Sequence, residues 1–331
     1  MNDLPLPAWV FARIADGQFH SGQDLAADLG VTRSAIWKAA AALRALGVEM
    51  QAVRNRGYRL AAASEPLAAM RLRYALSPAA RDAVTSLDIV WSCPSTNDAL
   101  LGRASPLPGT TAVMLAEYQS AGRGRRGRKW LAPPGAAICM SFSWTFAELP
   151  RDLSALSLVI GVCVLRGLAR LGARNLELKW PNDILCEHRK LCGTLIEMRA
   201  EAAGPTTVVI GIGVNCAIGS GLREAISSAG LTPADLRDAG IGSGERNVIA
   251  ASVLDACLAG LRTFERDGAV GFLEEWQRVD ALRDREVTIQ LADGARRGIA
   301  RGVDLTGALL VENPQGVTRF ISGDVSVRFD A

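Results

Sequence analysis

The sequence predicts a multidomain α/β chain of the α+β kind. It should comprise a small helical unit closed by a β-hairpin, a central mixed sheet carrying helices, and a small β-barrel at the end. Three observations predict this. A length of 331 residues sets a prior of two or three domains, and an apolar content of 49% can build a core in each. Helical spacing of apolar residues dominates the first sixty positions. Strand-like runs then follow one another through short turns, and beyond residue 277 only short strands remain. The domains expected are 1–64, 65–276 and 277–331.

Each element has a local reason. Ser21 with Asp24 makes a capping-box pattern ahead of Leu25 and Leu29, and Gly30 ends that helix. Thr32 caps a second helix, with Ile36, Ala39, Leu43 and Leu46 at helical spacing, and Gly47 ends it. Val48, Met50 and Ala52 alternate as a strand. Arg54-Asn55-Arg56-Gly57 turns the chain, and Tyr58 and Leu60 begin the return strand. Helix, tight turn, helix and basic hairpin outline a winged helix-turn-helix. Charge supports that outline. Residues 31–60 carry Arg33, Lys38, Arg44, Arg54, Arg56 and Arg59 against Glu49 alone. Arg33, Ser34, Trp37 and Lys38 lie early on the second helix of the motif, where DNA contacts belong, and Arg54 and Arg56 would set the wing on backbone phosphate. Ala61 to Pro66 reads as a linker.

In the central unit strands are expected at 88–92, 111–118, 136–146, 175–180, 183–187, 190–200 and 206–213, with helices at 97–104, 154–171 and 247–266. The short turns between late strands favour a mixed or antiparallel sheet over a doubly wound parallel one. Residues 217–246, rich in Gly and Ser, read partly as loop. The last strands, 286–291, 297–303, 308–312, 317–321 and 325–329, are separated by turns at Asp293-Gly294, Thr306-Gly307 and Gln315-Gly316.

Composition excludes several classes. The net charge of +3 is too small to predict a partner. Seven cysteines without a C-x-x-C pair, and only two histidines, argue against a zinc site, a disulfide framework or a His-based triad. No basic-then-apolar leader is visible, and the longest apolar run, Leu153 to Leu165, reads as a buried helix rather than a membrane span. A cytoplasmic protein is expected, with no membrane partner.

The chemistry concentrates in one loop. Arg123, Arg125, Arg126, Arg128 and Lys129 put five cations in seven residues, threaded with Gly124 and Gly127 and preceded by Gly122. Such a block is costly unless an anion sits there, and its glycines let backbone N–H groups approach a phosphate. Strand-like runs on both sides frame it as a loop in a folded domain. Ser95-Thr96-Asn97-Asp98 reads as a helix start, or as a polar cluster that holds a ligand. Lys190 reads as a solvated hairpin lysine or a ligand cation, and Gly193 permits close approach on a strand. Gly211-Ile212-Gly213-Val214-Asn215 reads as a tight turn, or as a ligand contact if it faces the basic loop. Positive charge and positioning, rather than imidazole acid–base work, would carry any reaction, as in polyphosphate chemistry.

Together these segments resemble the biotin–protein ligases. Gln119-Ser120-Ala121-Gly122-Arg123-Gly124-Arg125-Arg126-Gly127-Arg128-Lys129-Trp130 is similar to the family signature. Ser95-Thr96-Asn97, Lys179-Trp180-Pro181-Asn182-Asp183, Lys190-Leu191-Cys192-Gly193 and Gly211 to Asn215 follow the family order. The winged helix resembles that of members that are also biotin operon repressors, and Ile321 to Val325 fits their SH3-like C-terminal domain. The resemblance covers essentially the whole chain. It implies that biotin and MgATP give biotinyl-5′-AMP, which a lysine of a biotin carboxyl carrier protein then attacks. It implies Lys190 and Arg125 as catalytic residues. Ser95, Thr96, Asn97, Gln119, Arg123, Gly124, Arg125, Lys190 and Gly193 would meet biotin. Arg123, Arg125, Arg128, Trp130, Lys179, Asn182 and Asn215 would meet ATP or the adenylate, and Asp183 would lie near Lys190 or magnesium. ATP and Mg2+ are the implied co-substrates, with no tightly bound metal. Operator DNA and a second copy of the chain, in the adenylate-bound state, are the implied partners. No aromatic occurs between Asn215 and Phe264, so aliphatic contacts such as Leu231 are expected over the adenine. The other readings are a lipoate-type ligase, which shares the catalytic fold, and a non-catalytic ligand-sensing regulator.

Overall fold

Both expected caps start helices in the computed structural model, which describes residues 4–199, 205–228, 232–242, 244–291, 294–321 and 323–327. Ser21 Oγ accepts from Asp24 N at 3.0 Å and Thr32 Oγ1 from Ala35 N at 3.2 Å, each satisfying an N–H that a first helical turn leaves over. They open α2 (Gly22–Asp28) and α3 (Arg33–Ala45), which pack on α1 (Leu6–Ile14) through Val10, Phe11, Ile14, Leu25, Ile36 and Leu43. β1 (Met50–Val53) and β2 (Gly57–Leu60) form the antiparallel hairpin. Its turn needs a glycine. Gly57 has φ 99°, and a Cβ there would strike the His20 carbonyl, because His20 and Tyr58 exchange backbone bonds of 2.9 Å.

Residues 61–66 are a clamp rather than a free linker. Ser64 is buried, and its Oγ donates to Gly135 O at 2.8 Å. Arg246, fully buried at the start of α9 (Arg246–Asp267), donates to Glu65 O, Ala137 O and Glu117 Oε2 at 3.1, 2.8 and 2.8 Å. The other oxygen of Glu117 accepts from Leu67 N at 2.7 Å. Buried charge persists when it is paired and hydrogen-bonded; here both terminal nitrogens of Arg246 are bonded, and only its Nε has no partner. The polar character that made the segment read as a linker instead serves these bonds.

The chain then forms α4 (Ala69–Ala75), α5 (Pro78–Ala83), β3 (Val84–Cys93), α6 (Thr96–Leu101), β4 (Thr111–Gln119), β5 (Ala137–Phe146), α7 (Leu156–Ala169), β6 (Leu176–Lys179), β7 (Asp183–Cys186), β8 (Arg189–Arg199), β9 (Thr206–Asn215) and α8 (Ser220–Ser228). The strands make one mixed sheet of order β3-β4-β5-β9-β8-β7-β6, with only β3 and β4 parallel. Alternation along its central strands splits the faces. Ile138, Met140, Phe142, Ile210, Ile212, Val214 and Cys192 enter the main core under α7 and α9. The opposite face carries α6 and the site.

The expected helix 97–104 stops at Leu101, where Gly102 takes the C-cap. The one at 154–171 opens with a 3-10 turn at Leu153–Ala155. α4, α5 and α8 were not expected, nor was α10 (Val270–Arg278). α9 is long and apolar enough to cross a membrane by length and composition, but 67% of that stretch is buried inside the protein, as in a core helix.

β10 (Glu286–Leu291), β11 (Gly294–Val303), β12 (Leu309–Asn313), β13 (Gly316–Phe320) and β14 (Asp324–Val327) form an antiparallel sheet of order β13-β12-β11-β10-β14. The small β unit expected here is thus present as a five-stranded antiparallel sheet that buries Val287, Ile289, Ala300, Val311 and Phe320. Of the residues that figured in the sequence reading, Leu231, Asp293, Ser322 and the end of the last strand, 328–329, lie outside the described residues.

Candidate active site

Three central strands place small residues on the same rungs. Gly193 of β8 faces Gly213 of β9, which faces Cys139 of β5. On the next rung Leu195 faces Gly211, which faces Ser141. Leu195 apart, these rungs carry little side chain, and they form the floor of a cleft of about 1090 Å³ of empty space, part of it open solvent. The glycines make the room: a Cβ on Gly213 would lie 2.5 Å from Trp130 Cε2, and one on Gly211 would land on Asn97 Oδ1.

The start of α6 forms a polar wall. Ser95 is its N-cap, accepting from Asp98 N at 3.4 Å. Gln119, at the end of β4, accepts from Thr96 N at 2.8 Å through Oε1. Ser141 Oγ donates to Asn97 Oδ1 at 2.6 Å, which leaves Thr96 Oγ1 to donate across its 2.6 Å contact with Ser141. Asn97 Nδ2 donates to Glu197 Oε2 at 2.7 Å. Ser95, Thr96 and Asn97 are all nearly inaccessible to solvent, so the wall is preset by a connected network.

The basic loop is a folded hairpin. Gly124 N donates to Arg128 O (2.7 Å) and Trp130 N to Gly122 O (2.9 Å), with Arg123 bridged to Lys129. Arg126 (φ 56°) and Gly127 (φ 72°) turn it. Arg123, Gly124, Arg125, Arg128, Lys129 and Trp130 border the cleft, so the arginines do share a cavity with Ser95 and Lys190. Lys190 Nζ lies 2.7 Å from Asp183 Oδ1 and 5.8 Å from the Trp130 ring centroid. Asn182 also borders the cleft, and its Nδ2 donates to Thr194 O at 2.6 Å.

Two expected residues sit differently. Lys179 is not part of the lining. Asn215 borders the cleft but spends its amide on main chain, donating to Lys190 O (3.2 Å) and Ala234 O (3.0 Å). It therefore fixes the strand that carries Lys190. Ile226 of α8 and Pro233 add an aliphatic part to the lining. Burial pushes the Cys139 thiol on the floor up to about 11, so it stays protonated and is no nucleophile. Ser141 and Glu197 escaped the sequence reading. A signal for the first existed, since Ser141, Ser143 and Thr145 alternate through the apolar run of β5.

In the N-terminal unit Arg33, Ser34, Trp37 and Lys38 are exposed together on α3, Trp37 with 61% of its surface open. Arg54 and Arg56 are exposed at the hairpin turn, and the Arg56 guanidinium stacks 4.1 Å over Phe19.

Three family models match in chain order: an HTH domain over residues 11–59, the biotin/lipoate A/B protein ligase family over 91–215, and the biotin protein ligase C terminal domain over 284–328. The chain is 36% identical over 328 residues to the bifunctional ligase/repressor BirA of Escherichia coli, covering 99% of both. It is 33% identical over 245 residues to the biotin–[acetyl-CoA-carboxylase] ligase of Mycobacterium tuberculosis, covering 72% of this chain and 88% of that one. In fold it is similar to a biotin protein ligase from Aquifex aeolicus solved with biotin and ATP, at a TM-score of 0.58 and 24% identity, covering 75% of this chain and 99% of that one. The chain therefore belongs to the biotin protein ligase family, among the bifunctional ligase/repressors that carry a helix-turn-helix ahead of the ligase domain.

Proposed function

We propose that the cleft activates biotin in two steps and that each wall has one task. Ser95, Thr96 and Gln119 hold biotin's ring groups, and Asn97 keeps that wall in shape. Gly213 and Gly193 let Trp130 and Lys190 close onto the sheet, so that both reach the ligand from its floor. Arg125, Arg128 and Lys190 gather the carboxylate and the triphosphate, which otherwise repel one another. A carboxylate oxygen then bonds to the α-phosphorus, the bond to the β-phosphate oxygen breaks, and pyrophosphate leaves. In the second step a lysine amine of a biotin carboxyl carrier protein attacks the acyl carbon. AMP leaves, and the amine loses its proton. Trp130, Ile226 and Pro233 shield the adenylate from water.

Among the described residues no three His, Cys, Asp or Glu side chains are grouped to hold a metal. Asp183 beside Lys190 fits the usual magnesium pattern of one carboxylate plus phosphate oxygens, and an ion arriving with ATP would neutralise phosphate charge there. The N-terminal unit, 1–64, would bind operator DNA through α3 and the hairpin, the central unit would be 65–276, and the last 277–331. Two copies would bind two half-sites once the adenylate is present. Among the described residues β7 pairs with β8 only as far as Gly193, so residues 196–199 would offer a strand edge for that pairing. A cytoplasmic location accords with this work.

What carries the reading is that the polar wall, the basic hairpin and Lys190 border one cleft. Biotin-dependent ATP–pyrophosphate exchange tests it. Lys190→Ala should lower exchange by at least about 100-fold, as loss of a preset charge at a developing anion does. Near-normal exchange would remove the role of Lys190. No exchange by the unmodified chain, or equal exchange with lipoate, would remove the reading itself.

A further inference from the structure

We infer that Arg123 is a positioning residue, a latch whose guanidinium is committed to Asp98 and Glu197 and so fixes the base of the basic hairpin. The inference rests on the ligase reading of this cleft and assigns its cations different tasks. Arg123 Nη1 and Nη2 meet the two oxygens of Asp98, each at 2.5 Å, and Nη2 also lies 3.0 Å from Glu197 Oε1. This is the planar two-pronged geometry that arginine makes and lysine does not. The partners come from two elements that already build the site. Asp98 lies in the first turn of α6, next to Asn97, and Glu197 lies on β8 and takes the Asn97 amide with its other oxygen. Arg123 stands on the closing rung of the hairpin, bridged to Lys129. One side chain thus ties the hairpin's base to the biotin wall and to the sheet.

Charge supports the division. Two carboxylates face one guanidinium, so the cluster carries a net charge of about −1, and a phosphate placed there would meet repulsion as well as attraction. Hydrogen bonds from Arg123 hold the Asp98 carboxyl below its ordinary value, so the pair stays ionised.

A mutant cycle on the full chain, read by biotin-dependent pyrophosphate exchange, tests the latch. Arg123→Gln and the pair Asp98→Asn/Glu197→Gln should each raise KM for biotin about tenfold, with much less effect on kcat. All three changes together should still cost about tenfold, because residues acting through one contact are not additive. An additive rise near 100-fold, a loss confined to kcat, or no change would each overturn it. Trypsin gives a second reading. The Arg123–Gly124 bond should be cut slowly in the unmodified chain and fast in the carboxylate variant, and equal rates would count against the latch. Exchange by the unmodified chain, measured alongside, separates failure of the latch from failure of the ligase reading.

Discussion

Glycine at 211 shows how one missing carbon shapes this site. The residue sits on β9 in ordinary extended backbone, so conformation does not demand it. Space does: a Cβ would land on Asn97 Oδ1, which already accepts from Ser141 Oγ at 2.6 Å. Asn97 cannot swing aside cheaply, because its Nδ2 is held by Glu197 and by Leu195 O. Gly211→Ala should therefore unseat Asn97 and Ser141, and through Ser141 the hydroxyl of Thr96. Losing two buried hydrogen bonds at about 1 kcal/mol each predicts a rise in KM for biotin of roughly 10- to 30-fold. KM for ATP should change much less. Equal rises for both substrates would show that the damage spreads beyond the biotin wall. Gly211 and Asn97 were legible as members of short motifs, but their contact with each other and with Ser141 and Glu197 was not. Thr96, Asn97, Gln119 and Lys190 stand in compact motifs, whereas Ser141 and Glu197 lie 44 and 100 residues from Asn97 along the chain, and only strand register brings them together.

At the scale of elements, boundaries followed their caps. α2, α3 and α6 were readable because Ser21, Thr32 and Ser95 start them. α5 carried an equally clear signal, Ser77 as N-cap with Pro78 at the first helical position. α4 and α10 have no side-chain cap, and α8 begins in a Gly/Ser-rich stretch. Their packing is tertiary, and local pattern cannot announce it. The joint between the central sheet and the last five strands holds a further consequence of packing. Asp280 bridges to Leu178 of β6. Its Oδ1 accepts from Leu282 N at 2.9 Å, while its Oδ2 is buried without a partner. Burial pushes this carboxyl up to about 7, with Asp284 and Glu177 adding to it and Arg283 opposing. The folded chain thus holds a proton that the unfolded chain releases near 3.8. Its contribution to stability is greatest below that value and is lost as pH rises through 7. Asp280→Asn keeps the acceptor for Leu282 and cannot ionise. It should match the unmodified chain near pH 4 and exceed it at pH 8, by up to about 4 kcal/mol at 1.36 kcal/mol per unit. Thermal unfolding at the two pH values decides it, and an equal effect at both would refute the assignment.

Across the whole molecule, the N-terminal unit is built into the body rather than tethered to it. Phe11 packs against Trp91 with ring centroids 5.7 Å apart, Ser64 is bonded to Gly135, and Arg246 joins the segment after Ser64 to β4 and β5. The sheet end that supplies Gln119 is thus two residues from Glu117, the partner of Arg246. Among the described residues, the exposed face of α3 with its hairpin and the mouth of the cleft are open to partners, beside the β8 edge. The overall charge of +3 gives DNA little general attraction. On the function proposed above, affinity would come from the local cluster of Arg33, Lys38, Arg54 and Arg56 and from doubling that cluster in a two-copy complex. A gel shift with operator DNA should therefore depend on biotin and ATP together. Lys38→Ala should weaken it and reduce the slope of log K against log salt by about 0.9 per protomer, hence about 1.8 for two copies. Trp37→Ala should weaken binding with the slope unchanged, since an apolar contact releases no counterions. Binding of equal strength without biotin and ATP would mean that the ligand does not govern assembly, and a slope change near 0.9 for Lys38→Ala would mean that one copy binds alone.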